Sequence, residues 1–215
     1  FSPYSYTSWR GAYKGTLYDT FRRSDGTFDY AAIEEINRTS EYGSALIAAR
    51  SNNSHDWYGL LSTYTTKIGQ YLDFYGGIDY RFYKGVHRNE ISDLFGGTYY
   101  LDSERGNVDV KNNIHAADPN WRYQKLGVGD VVFRDYDGFV MQEGGFFQLE
   151  YNKDRLAAFV AGSLSNTGYW RYDRFYYDKE HAKSKTVNFL GFTAKGGANY
   201  NITDNHNVFA NVGYI

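Results

Sequence analysis

The 215-residue sequence has no cysteine, two prolines and a single methionine. The absence of cysteine excludes a disulfide scaffold, a thiol nucleophile and a Cys-ligated zinc site. Charge of one sign is missing too. The 23 Lys and Arg are interspersed with 25 Asp and Glu, for a formal net charge of −2, which leaves no electrostatic footprint for nucleic acid. No apolar run approaches the roughly 18–20 residues that a membrane helix needs. Neither Gly-x-Ser-x-Gly nor Gly-x-x-x-x-Gly-Lys occurs, so catalysis is not expected. His55, His87, His115, His181 and His206 form no i, i+4 pair. They read as solvated loop residues, and neither a metal nor a cofactor is expected.

What the chain does have is aromatic side chains. Phe, Trp and Tyr make up 20% of it, 23 of them Tyr, yet the mean hydropathy is only −0.62. Aromatic and Thr-rich stretches punctuated by Gly and Asn favour strands over helices.

The pattern within those stretches is alternation. From Leu72 to Lys84, Leu72, Phe74, Gly76, Ile78, Tyr80 and Phe82 fall on one face. Asp73, Tyr75, Gly77, Asp79, Arg81 and Tyr83 fall on the other. The same period places Leu190, Phe192, Ala194, Ala198, Tyr200 and Ile202 opposite Thr193, Lys195, Asn199 and Asn201. It also places Val208, Ala210, Val212 and Tyr214 opposite Asn207, Asn211 and Gly213, and Phe147, Leu149 and Tyr151 opposite Gln148, Glu150 and Asn152. Trp57–Lys67 and Leu156–Trp170 alternate less cleanly. About six strands are expected, each of roughly the 9–11 residues that cross a tilted bilayer.

The connections are unequal. Tight turns fit Ile68–Tyr71, Asn152–Arg155 and Thr203–His206, which joins the strands into three hairpins. Long connections run over about 85–140 and 171–186, and residues 1–56 look like most of a third. Domain organisation therefore reads as a loop region over 1–56 followed by strands and long loops over 57–215. Asp29 is a helix N-cap before Tyr30–Thr39, and a second helical turn is expected over Glu90–Phe95. Ser24-Asp25-Gly26 and Asp135-Tyr136-Asp137-Gly138 read as turns. The latter has too few of the oxygen ligands of a calcium loop. Both ends look cut, as though the chain were a piece of something longer.

Short turns alternating with long loops are what outer-membrane β-barrels show. The expected fold class is all-β, an antiparallel transmembrane barrel segment whose extracellular loops carry short helices. Asp79, Arg81, Glu150 and Lys195 would then face a lumen; alternatively they are the wet face of a sandwich. Trp57, Tyr58, Tyr83, Tyr169 and Trp170, at strand ends, fit an interfacial girdle. The loop residues Trp121, Arg122, Tyr123, Trp170, Arg171, Tyr172 and Arg174 are the candidate ligand contacts, by stacking and hydrogen bonding; packing between neighbouring loops would explain the aromatics equally well.

Several segments also resemble the TonB-dependent receptors of the Bacteroidetes outer membrane: Asp56-Trp57-Tyr58-Gly59, Gly76-Gly77-Ile78-Asp79-Tyr80-Arg81, Asn166-Thr167-Gly168-Tyr169-Trp170-Arg171, and Asn205-His206-Asn207-Val208-Phe209-Ala210-Asn211-Val212-Gly213-Tyr214. The resemblance implies a 22-stranded barrel closed by a plug and importing a scarce nutrient such as a metal chelate, cobalamin, glycan or peptide. Its partners would be outer-membrane lipid, the nutrient ligand, a surface lipoprotein and the TonB complex, reached through a plug domain that this chain does not contain. A passive porin or adhesin-like barrel and a soluble, secreted carbohydrate-binding β-sandwich remain the alternatives.

Overall fold

A computed structural model describes residues 7–11, by backbone alone, and residues 20–215. The main sheet has seven strands in the order β1-β2-β3-β6-β7-β8-β9: β1 (Thr7–Gly11), β2 (Leu46–Ile68), β3 (Leu72–Asp93), β6 (Val131–Lys153), β7 (Leu156–Asp173), β8 (Val187–Thr203) and β9 (His206–Tyr214). It is open, with β1 and β9 at its edges. A two-stranded ribbon, β4 (Tyr100–Leu101) with β5 (Lys125–Leu126), forms a second sheet. The one long helix among the described residues, α1 (Tyr30–Thr39), starts at Asp29, whose carboxylate accepts the Ala32 N–H as expected of its N-cap.

The three expected hairpins are present: β2–β3 turns at residues 69–71, β6–β7 at 154–155 and β8–β9 at 204–205. Gly69 (φ +73) and Asp154 (φ +51) supply the left-handed conformation in the first two turns. Several strands are longer than expected. β2 and β6 have 23 residues and β3 has 22, because they continue into stretches that read as loop. The helical turn expected over Glu90–Phe95 is absent, since β3 runs to Asp93. Asp135–Gly138 lies inside β6 and is no turn, while Ser24-Asp25-Gly26 does turn, with Gly26 at φ +86. Part of the expected 1–56 loop is strand, where Thr7–Gly11 pairs antiparallel with Leu46–Arg50.

Two compact units divide the chain. Unit 1 comprises Phe1–His55, Gly85–Gly138 and Arg171–Ser184; unit 2 comprises Asp56–Lys84, Phe139–Trp170 and Lys185–Ile215. Their interiors obey opposite rules. All fifteen buried hydrophobic residues among those described belong to unit 1. They gather into one cluster around Ile47, Ile91, Leu126 and Val132, a second around Phe21, Ile33 and Leu46, and a third around Val108, Ala116 and Phe175. The α1 residues Ile33 and Asn37, four apart, face the second cluster. Unit 2 has no buried hydrophobic residue among those described; Leu164, Leu190, Phe209 and Val212 are 63–79% exposed.

Candidate functional site

The register within unit 2 decides which side chains share a face. Leu156, Ala158, Val160, Gly162 and Leu164 of β7 stand opposite Tyr200, Ala198, Gly196, Ala194 and Phe192 of β8. Those β8 residues from Tyr200 to Ala194 in turn face Val208, Ala210, Val212 and Tyr214 of β9. A β-carbon on Gly162 would touch the Phe147 ring, which puts the odd-numbered residues of β6 on this same face. One row after another is therefore apolar, as the period of the sequence requires.

Near one end of that face, four rings from four strands meet. Phe139 and Trp170 stack with centroids 5.2 Å apart, Phe82 lies 6.2 Å from both, and Tyr58 lies 6.4 Å from Phe82. Of the expected girdle residues, Tyr58 and Trp170 belong to this group. Trp57 and Tyr83 pair at 4.8 Å and alternate to the opposite face, as does Tyr169, which meets Phe189. Glu143 and Asn166 are polar exceptions on the apolar face, by alternation with Phe147 and Leu164.

The opposite face carries the charges. A Cβ on Gly77 would meet the Phe146 ring, so Asp79 and Arg81, two and four residues on, share the face of Phe146, Gln148 and Glu150. Ala161 stands opposite Lys195 and Ser163 opposite Thr193, where the two hydroxyls hydrogen-bond at 2.7 Å. Asp79, Arg81, Glu150 and Lys195 thus lie on one face, and Arg81 donates to Asp79 at 3.2 Å. Gly77 permits the close approach of β2: a side chain there would run onto the Ser62 carbonyl oxygen.

In unit 1 the loop candidates are largely spent on structure. The turns over Ser103–Asn107, Ile114–Ala117 and Pro119–Arg122 are capped by Asp102, Asn113 and Asp118. The Trp121 ring packs against the Val108–Ala116–Phe175 cluster and lies 4.9 Å under the Arg105 guanidinium. Arg122 donates to the Ala116 carbonyl at 3.2 Å. Tyr123 alone of that trio stays 65% exposed.

Arg174 grips Asp137 with both terminal nitrogens, at 3.1 and 2.7 Å, and reaches Asp135 at 3.0 Å. These carboxylates hold its proton even more firmly than usual. Tyr172 lies under Arg174 at 5.6 Å, and Arg171 stacks on Tyr177 at 4.0 Å while pairing with Asp173 at 3.5 Å.

Asp178 ties two loops together. Its carboxylate accepts the Ile114 N–H at 3.1 Å and those of Glu180 and His181, and it meets the His181 ring at 2.7 Å. The Ile114 N–H is the largest cause of a carboxyl held down to about 2. Asp178 N–H donates to Asn112, and Asn113 donates to the Phe175 carbonyl.

One cluster has no precursor in the sequence reading. Ser51, Asn53 and His55 of β2, His87 and Asn89 of β3, and Arg134 and Tyr136 of β6 occupy alternate positions on three strands and touch in sequence. Arg134 donates to Asn89 Oδ1 at 3.1 Å and to Ser51 Oγ at 2.6 Å. His87 Nδ1 donates to Asn53 Oδ1 at 2.7 Å, and its ring lies 5.0 Å from Tyr136 and 6.4 Å from His55. Burial first, then the nearby Arg134 and His55, push the His87 pKa down; Asp137 opposes them. His87 is therefore a half-buried strand residue, where a solvated loop histidine was expected. A search at i, i+4 spacing misses such a pair because the histidines are brought together across strands.

No protein-family model matches the chain, and no curated protein matches it. No helix among the described residues is long and apolar enough to cross a membrane, which says nothing of strands.

Proposed function

We propose that this chain is part of the wall and outer loops of an outer-membrane β-barrel, a transporter of the TonB-dependent kind that its sequence resembles, taking up a scarce nutrient. The observation that carries the reading is the face of unit 2 on which Leu156 to Leu164, Phe192 to Tyr200 and Val208 to Tyr214 line up and stay exposed, with no layer over them among the described residues of unit 2. A sheet in water buries its apolar face against a second layer; a barrel wall gives it to lipid and keeps the charges on the other side. From Phe139 to Tyr151 is twelve steps along β6, about 40 Å of strand, or about 28 Å of depth at a 45° tilt, close to the hydrocarbon thickness of a bilayer. The Tyr58–Phe82–Phe139–Trp170 rings then sit at one interface, with Tyr71 and Tyr151, 6.4 Å apart, near the other.

On this reading Asp79, Arg81, Glu150 and Lys195 line the lumen, the partners are outer-membrane lipid, the nutrient and a TonB complex acting through a plug domain, and no reaction is catalysed. The sandwich alternative needs a second sheet over the apolar rows, and the described residues supply none. Heat-modifiable migration of the full-length gene product in detergent gels, from an outer-membrane fraction, tests the barrel; a product recovered in the soluble fraction sinks it. Uptake that survives collapse of the proton-motive force would replace the importer with a passive pore.

A further inference from the structure

We propose that the cluster centred on Arg134 in unit 1 is a binding site for an oxyanion, a carboxylate or phosphate borne by a small ligand. Arg134 is half-buried, and no carboxylate forms an ion pair with it among the described residues. Its partners are the neutral side chains of Asn89, itself only 5% exposed, and Ser51. Two of the five guanidinium N–H groups are used there, which leaves about three for a ligand, the fork that carboxylates and phosphates take.

Asn53 completes the frame. Its amide donates to Ser51 Oγ at 3.3 Å and accepts from His87 Nδ1. That fixes the His87 ring with Nε2 free of the Asn53 contact, beside the Tyr136 ring, which offers a stacking surface to whatever carries the anion.

The groups around His87 set the pH response. Arg134 and Tyr136 come from β6 with Asp137, and His55 comes from β2. Burial favours the neutral ring most, the Arg134 guanidinium and then His55 add to it, and Asp137 favours the charged one. An anion bound beside Arg134 cancels its repulsion, so binding draws a proton onto His87 and tightens as pH falls. The site does not depend on membrane placement: a soluble protein could carry it, and a barrel could lack it.

The test is titration calorimetry on the full-length protein in detergent, with citrate and inorganic phosphate as probes and glucose as a neutral control. Citrate or phosphate is expected to bind with a Kd on the order of 1 mM. Affinity should rise several-fold between about pH 7.5 and 5.5, with net proton uptake when two buffers of different ionisation enthalpy are compared. Tighter citrate assigns a carboxylate ligand, tighter phosphate a phosphorylated one. R134Q should weaken binding about tenfold or more, and R134K should recover part of it. H87N should keep the affinity at the higher pH and lose the gain at the lower one. If neither anion binds, or R134Q binds as the wild type does, the proposal is overturned. Should R134Q not fold, an acid gain that persists in H87N overturns it equally.

Discussion

Leu164 gives the sharpest test of where unit 2 resides. It is 63% exposed on the apolar face, opposite Phe192, and six residues from Trp170 in the ring cluster. Six steps of strand are about 20 Å, or about 14 Å of depth at a 45° tilt, which on the proposed barrel reading puts Leu164 near the middle of a hydrocarbon layer of about 30 Å. An arginine there costs about 2–4 kcal/mol in lipid, a loss of about 30-fold to nearly 1,000-fold in the folding equilibrium. The same L164R change on a surface in water costs within about 0.5 kcal/mol. S165R, one residue along and on the charged face, is the internal control and should also stay within about 0.5 kcal/mol. Urea titrations of the full-length protein folded into phospholipid vesicles, read by tryptophan fluorescence and gel mobility, give both numbers. Equal effects of L164R and S165R, or an L164R cost under about 0.5 kcal/mol, would refute the assignment of faces to solvents.

Three further outcomes follow from unit 1. Asn37 is 2% exposed and holds both the carbonyl and the N–H of Leu46, at 2.7 and 3.1 Å, together with the Leu94 carbonyl at 2.9 Å. N37A should therefore cost about 3 kcal/mol in denaturant titrations, the unsatisfied backbone groups making up most of it; a cost below about 1 kcal/mol would contradict this. R174Q removes the guanidinium that bridges Asp135 and Asp137. With the guanidinium 38% exposed, screening reduces the loss to about 1–2 kcal/mol, and limited proteolysis should show cleavage over 171–184 first. Asp178 has a folded-state pKa of about 2 against an ordinary 3.8, so its contribution is present above that ordinary value and fades as pH falls from there toward about 2. Hydrogen exchange should show 112–116 and 174–181 loosening together in that window in the wild type, and D178N should already be loose at neutral pH and lose the dependence.

Local physics made some features legible in the sequence and hid others. Helix α1 was readable because Asp29 and the apolar residues that follow it at helical spacing act within one or two turns of chain. The hairpin turns were readable because Gly69, Asp154 and the 204–205 pair need no distant partner. Faces were readable wherever two unlike environments met a strand, as over Leu72–Phe82. The alternation fades from Gly85 onward, where Asn89 and Ile91 are both buried on one side while Arg88 and Glu90 form an ion pair on the other, so β3 seemed to stop early. Asp135-Tyr136-Asp137-Gly138 has the composition of a turn, but its carboxylates are placed by Arg174, 37 residues from Asp137, a contact that no local rule can supply. Trp121 and Arg122 were attractive as ligand contacts for their chemistry, and that chemistry is spent on Arg105 and the Ala116 carbonyl. The Arg134 site went unseen for the same reason: three strands contribute to it.

The two units also explain how a chain one-fifth aromatic can have a mean hydropathy of −0.62. In unit 1, hydrophobic side chains are buried and the polar remainder faces water, the usual economy of a folded domain. In unit 2, Leu60, Tyr64, Ile78, Leu164, Leu190, Phe192, Val208 and Val212 are each 56–79% exposed, large apolar side chains gathered on one face rather than scattered singly as on most soluble surfaces. Alternation keeps that surface out of the average, because many of the apolar residues are balanced by Asp, Asn, Ser or Gly at the next position, on the other face. A sheet built this way has its stabilising partner outside itself. On the proposed reading that partner is lipid, which the continuity of the apolar rows across β7, β8 and β9 supports. Glu143 and Asn166 are the places where that argument is most exposed: if E143L in the vesicle assay fails to stabilise the protein while L164R destabilises it, the face meets lipid over Leu164 and something more polar beside Glu143.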